Sequence, residues 1–100
     1  MEIKIPQTKN EAFAQLDEML SEEDKRELAK SDAIKYHFSL GMWIRNNWIY
    51  EQKEEDVKRL AKAFRTEMLF FEADSLSEKI IEYYQRYLKR KGYGDDGRYE

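Results

Sequence analysis

Apolar residues recur at helical spacing in successive stretches of the chain, and the polar residues between them carry helix start and stop signals. The first stripe is Phe13, Leu16, Met19 and Leu20, with Thr8 or Asn10 as its cap and Glu11 in the opening turn, where the helix dipole favours an acid. Ser21-Glu22-Glu23-Asp24 is a second start, and up to Lys30 the segment offers Leu28 as its one large apolar side chain. That pattern predicts a short, exposed helix. Ser31-Asp32 provides the next cap.

From Ala33 to about Asn47 the pattern predicts a central helix. At 100° per residue, Ile34, His37, Gly41, Ile44 and Trp48 share a face. Tyr36, Leu40 and Trp43 flank it on one side, and Phe38, Met42 and Ile49 on the other, which leaves Lys35, Ser39 and Asn46 as a polar strip. A helix apolar around most of its circumference is expected to be enclosed by others. Gly41 costs about 1 kcal/mol against alanine inside a helix, so its place implies close approach of a neighbouring helix or ring.

Tyr50 to Asp56 reads as a polar connection. Val57, Leu60, Ala61, Phe64 and Met68 then form a narrow stripe, with Glu54–Lys58 and Glu55–Arg59 at ion-pair spacing. Met68-Leu69-Phe70-Phe71 breaks the period, either as the buried end of that helix or as a pinned linker. Asp74 or Ser75 is the expected cap of the last helix, and Ser75-Leu76-Ser77-Glu78 fits a capping box. Its inward residues are Leu76, Ile80, Tyr83, Tyr84, Tyr87 and Leu88, and Gly92 is its left-handed stop. No strand pair or repeat emerges. The expected fold is all-α, a single small domain of four to five helices packed around the tryptophan-bearing one. Residues 1–7 form an extended arm, 8–91 the helical domain and 92–100 a flexible tail.

Composition narrows this picture. A chain of 100 residues with 41% hydrophobic and 14% aromatic residues supports one folded core. The net charge of −3 argues against binding nucleic acid through overall charge. Bases do gather at the end of the last helix, at Arg86, Lys89, Arg90 and Lys91, and acids between Glu11 and Glu27. The chain has no cysteine, which removes disulfides and thiolate chemistry, and one histidine makes a metal site a poor expectation. No cofactor is indicated. The opening Met-Glu-Ile-Lys-Ile-Pro is unlike a signal peptide, and no apolar run is long enough to cross a bilayer, so a cytoplasmic protein with no membrane partner is expected.

The run His37-Phe38-Ser39-Leu40-Gly41-Met42-Trp43-Ile44-Arg45-Asn46-Asn47-Trp48 resembles the signature of a family of small bacterial proteins classed as a domain of unknown function. Its pattern is His-Phe-x-Leu-Gly-x-Trp-Ile-Arg-Asn-x-Trp after a Leu-Asp-x-x-Leu-Ser helix end, which Leu16-Asp17-Glu18-Met19-Leu20-Ser21 matches. A Pro-Asp-x-x-Ser element opens the family's last helix. Asp74 and Ser77 fit it, with Ala73 in place of the proline. After Trp48 the family continues Gly-Leu-Trp, where this chain has Ile49-Tyr50-Glu51. The resemblance spans about Phe13 to Leu88 and implies a shared fold, with no activity attached.

His37 and Arg45 are the candidate polar site. A histidine can act as acid or base, and an arginine can hold a carboxylate or phosphate. Their structural reading is as polar groups satisfied at the edge of the core, with Asn46 and Asn47 ending the helix in a left-handed conformation. Trp43, Arg45, Asn46, Asn47 and Trp48 form the candidate interaction surface, since tryptophan and arginine dominate binding hot spots. Packing is the competing account of either indole. The leading functional expectation is a non-enzymatic protein-interaction module that binds a protein or itself, with an inhibitor- or immunity-like role by analogy. The alternatives are nucleic-acid binding through the basic end of the last helix, and an enzyme centred on His37 and Arg45.

Overall fold

A computed structural model of the chain describes residues 4–30, 34–65 and 73–93, and of residues 34–37 the backbone alone. Five α-helices make up the described residues, with no strand among them: α1 (Lys9–Met19), α2 (Glu22–Ala29), α3 (Ile34–Ile44), α4 (Glu54–Ala63) and α5 (Ala73–Arg90). The fold is all-α. The segment Met68-Leu69-Phe70-Phe71 and the tail 94–100 lie outside the described residues, as do the side chains of Ile34, Lys35, Tyr36 and His37.

The local signals explain most helix ends. Thr8 Oγ1 accepts from Glu11 N at 3.1 Å, and Ser21 Oγ from Asp24 N at 3.0 Å, so each hydroxyl satisfies an amide the helix leaves open. At the far end of α5, Tyr93 N donates to Leu88 O and Gly92 N to Lys89 O, with Gly92 at φ 99°. This is the Schellman arrangement, and it needs a residue without a Cβ penalty at the left-handed position. Other expectations shift. The last helix already begins at Ala73, so Asp74 and Ser75 lie within its first turn and do not cap it. Arg59 pairs with Asp56 at 3.2 Å and takes Gln7 Oε1 at 3.1 Å, while Glu54–Lys58 pairs as spaced, at 3.3 Å.

The central helix does not run as a simple α-helix to Asn47. After Ile44 it widens into a π-helical turn, Arg45–Ile49, closed by Tyr50 N donating to Arg45 O at 2.7 Å. The i→i+5 turn advances less per residue than an α turn. Trp48 and Ile49 therefore straddle the inward direction, and both are buried. Asn46 and Asn47 do not take the left-handed conformation. The reversal comes at Glu51, φ 61°, and Asn47 Nδ2 instead donates to Trp43 O at 2.9 Å beside the change of ladder.

α5 packs against α2, α3 and the π turn, and supplies Leu76, Ser77, Ile80, Ile81, Tyr84 and Leu88 to the core. Phe13 stacks on Tyr87 with centroids 4.6 Å apart and meets Phe64 edge-on at 6.1 Å, tying α1 to α4 and α5. The arm is anchored where it is described. Pro6 is fully buried, and Gln15 Nε2 donates to Lys4 O at 2.6 Å. Met19, placed inward by its spacing, is exposed instead.

Candidate functional site

Arg45 leaves the first residue of the π turn and reaches across to the opening turn of α5. Its Nη1 donates to Ser77 Oγ at 3.0 Å and stands 3.3 Å from Asp74 Oδ1. Ser77 is fully buried and its hydroxyl donates in turn to Asp74 O at 3.0 Å, so the oxygen is free to accept from the guanidinium. The Arg45 side chain is 17% exposed and Asp74 79%, so the hydrogen bond to Ser77 carries more of the interaction than the screened ion pair. One turn before Arg45, Gly41 faces the same place. A Cβ there would lie 3.1 Å from Arg45 Nη1, 3.7 Å from Ser77 Oγ and 3.8 Å from Ile81 Cδ1. The close approach that Gly41 implies is thus made by its own helix's arginine and by α5.

A second polar centre lies at the end of α1. Asp17 accepts from Tyr84 Oη at 2.7 Å through one oxygen and from Tyr87 Oη at 2.6 Å through the other. Lys25, buried among these residues, stands 3.9 Å from Asp17 and 3.3 Å from Glu22. Burial, reinforced by the bond to Asp17, drives the Tyr84 hydroxyl far above its ordinary range. The hydrogen bond to Asp17, with burial second, pushes Tyr87 up to about 12. Nearby, Tyr93 Oη donates to Glu22 Oε1 at 2.8 Å, which holds the Glu22 carboxyl below its usual value and raises Tyr93.

The tryptophans are divided in role. Trp48 has no exposed surface, and its Nε1 donates to Gln15 Oε1 at 3.3 Å. Trp43 is half-buried and meets Trp48 edge-on at 5.5 Å. Asn46 is exposed, Asn47 is tied to the backbone of Trp43, and the side chain of His37 lies outside the described residues. The structure therefore gathers Arg45 with Asp74 and Ser77, and Trp48 with Gln15, and does not present the five candidate residues as one open face.

What α3 does present is Phe38, 72% exposed, and Met42, 46% exposed, one turn apart with Ser39 and Asn46 beside them. The expectation that the apolar flank carrying Phe38 and Met42 is covered by other helices does not hold at these two residues. Spacing alone missed it, because an apolar residue reads as core whether or not anything covers it. Among the described residues no three carboxylate or histidine side chains converge as metal ligands do, and no helix is long and apolar enough to cross a membrane.

The contact of Arg45 with Ser77 and Asp74 joins the glycine-to-arginine run, Gly41 to Arg45, to the Asp-x-x-Ser element, Asp74 to Ser77. The tyrosine centre uses the aspartate of the Leu-Asp-x-x-Leu-Ser helix end. Neither curated proteins nor solved structures gave a match. A family model described as Domain of unknown function (DUF6794) matches residues 5–88, and the chain belongs to that family.

Proposed function

We propose that the protein is a non-enzymatic protein-interaction module, and that it meets its partner through the exposed strip of α3. The observation that carries this reading is the exposure of Phe38 and Met42, two large apolar side chains one helical turn apart. Such i, i+4 anchors are how a helix seats in an apolar groove. Acids exceed bases by 21 to 18 across the chain, which favours a basic protein as the occupant. An inhibitor- or immunity-like role toward such a protein, in a bacterial cytoplasm, follows by analogy with small acidic helical proteins.

Two features weigh against the other readings. Arg45, the arginine of the enzyme reading, is already held by Ser77 and Asp74. The bases of α5 do not form one track, since Lys91 sits over the Tyr87 ring at 5.2 Å and opens with Arg26 on a different hollow from Arg86 and Arg90.

A photo-crosslinking residue at position 42, compared with one at exposed position 62 on α4, tests the surface in the native host. A discrete adduct with a basic protein from position 42, lost on Phe38→Ser, supports the reading. Equal adducts from both positions, or none from position 42, would reject it, and an adduct with a second copy of the chain replaces the basic partner by self-association.

A further inference from the structure

We propose that a cleft formed by the start of α1, the end of α4 and the last turns of α5 binds a compact phosphoryl anion, a phosphate ester or pyrophosphate, held by Lys9, Arg65, Arg86 and Arg90. The cleft has a volume of about 200 Å³ and is lined by those four cations with Phe13 and Tyr83. No acid lines it. In a chain with 21 acids, five other bases (Lys25, Lys30, Arg45, Lys58 and Arg59) find carboxylate partners. None of the four cleft cations pairs with a described acid.

Fold stability explains this arrangement poorly. Arg90 in the last turn of α5 is favoured by the helix dipole, but Lys9 occupies the first turn of α1, where the dipole opposes a cation. Like charges around one cleft repel, and an anion between them removes that cost. The walls are also held in place. Lys9 Nζ lies 5.0 Å from the Tyr83 ring centroid and the Arg86 guanidinium 5.3 Å, so one aromatic ring carries two of the cations. Phe64 packs against the same ring at 5.5 Å, and Arg65 follows it at φ 59°, where the chain turns out of α4. The lining thus sets four cations beside two aromatic rings, and like charge gathered in a concave site focuses field into the cleft.

The chemistry of the donors sets the ligand class. Three guanidinium groups offer planar pairs of N–H donors that match phosphoryl oxygens, and the lysine adds a point charge. The volume is below the range of about 300–1,000 Å³ typical of sites for drug-sized molecules, so it suits one or two phosphoryl groups more than a whole nucleotide. A long polyanion would also have to follow a surface of net charge −3 beyond these four bases.

The test is calorimetric titration of the full chain with pyrophosphate, glycerol phosphate and a single-stranded oligothymidylate at constant ionic strength. Saturable binding of pyrophosphate or glycerol phosphate is expected, and the tighter of the two identifies the inorganic or the ester source. Arg86→Gln with Arg90→Gln, both at exposed positions, should weaken it roughly tenfold or more, and Lys58→Gln on the outer face of α4 should not change it. No saturable binding of either small anion, or binding unchanged by the double substitution, overturns the proposal. So does oligothymidylate binding that outcompetes both small anions and falls steeply with salt, since it makes the cleft part of a nucleic-acid surface.

Discussion

Arg45 donates to Ser77 at 3.0 Å across 32 residues of chain, and Gly41 leaves the space in which it does so. The glycine, the arginine and the serine form one device. It fixes the start of α5 against the end of α3, at the point where the latter widens into its π turn. A guanidinium that is four-fifths covered needs its partner, because an orphaned buried donor costs more than the bond contributes.

Gly41→Ala separates two opposing effects. Alanine gains about 1 kcal/mol in helix propensity. Its Cβ would stand 3.1 Å from Arg45 Nη1, so the guanidinium must give by a few tenths of an ångström, which strains its bond to Ser77 and offsets much of that gain. A change well below the gain of about 1 kcal/mol is expected in urea unfolding. In an Arg45→Met background the close contact is gone, and the same Gly41→Ala change should show the full gain. Equal effects in both backgrounds would disprove the link between the two residues.

The parts of this structure that were legible in the sequence are those decided locally. Thr8 and Ser21 cap because a hydroxyl beside an unsatisfied amide needs no distant partner, and Gly92 stops α5 because a left-handed residue is required where the helix ends. The all-α class followed from stripes such as Val57, Leu60, Ala61 and Phe64, all of them buried. Spacing could not reveal the π turn, since an α period and an α-to-π change place the same letters in the same order. Nor could it name the partners of Arg45 and Asp17, which arrive from α5. Asp74 and Ser77 fit the start of a helix, and that role hides their use as a receptor for the arginine.

Asp17 holds two tyrosines at once, and its removal should be felt accordingly. Asp17→Ala leaves the hydroxyls of Tyr84 and Tyr87 and the buried Lys25 without their shared acceptor. A loss of about 3 kcal/mol is expected at neutral pH, against about 1 kcal/mol for Tyr87→Phe, which deletes one hydroxyl and leaves the carboxylate its other donor. Chemical unfolding of the two variants measures the difference. A cost for Asp17→Ala no larger than that for Tyr87→Phe would mean that the aspartate is not the organising group.

The same centre sets an alkaline limit. Both tyrosines hold their protons more tightly when folded than unfolded, where a phenol titrates near 10. A raised folded pKa contributes stability that is fully present below the unfolded value and is lost as pH rises toward the folded one. Stability should therefore fall between about pH 10 and the value of about 12 for Tyr87. Tyrosinate absorbance should show Tyr84 and Tyr87 titrating above pH 10, together with unfolding. Titration of both near pH 10 with the fold intact would contradict this.

Trp48 and Phe38 belong to the same helical stretch, yet their substitutions should part company. Trp48 is fully enclosed and bonded to Gln15, so Trp48→Ala should cost about 3–5 kcal/mol through the cavity it leaves. Any partner binding it loses would be lost through unfolding. Phe38 is 72% exposed, so Phe38→Ser should change stability by no more than about 0.5 kcal/mol. If α3 is the partner surface, that variant stays folded and fails to bind. Thermal unfolding run beside the crosslinking assay at position 42 reads both quantities. A Phe38→Ser protein that unfolds like Trp48→Ala would make Phe38 a core residue, and one that is stable and still crosslinks would move the partner surface off α3.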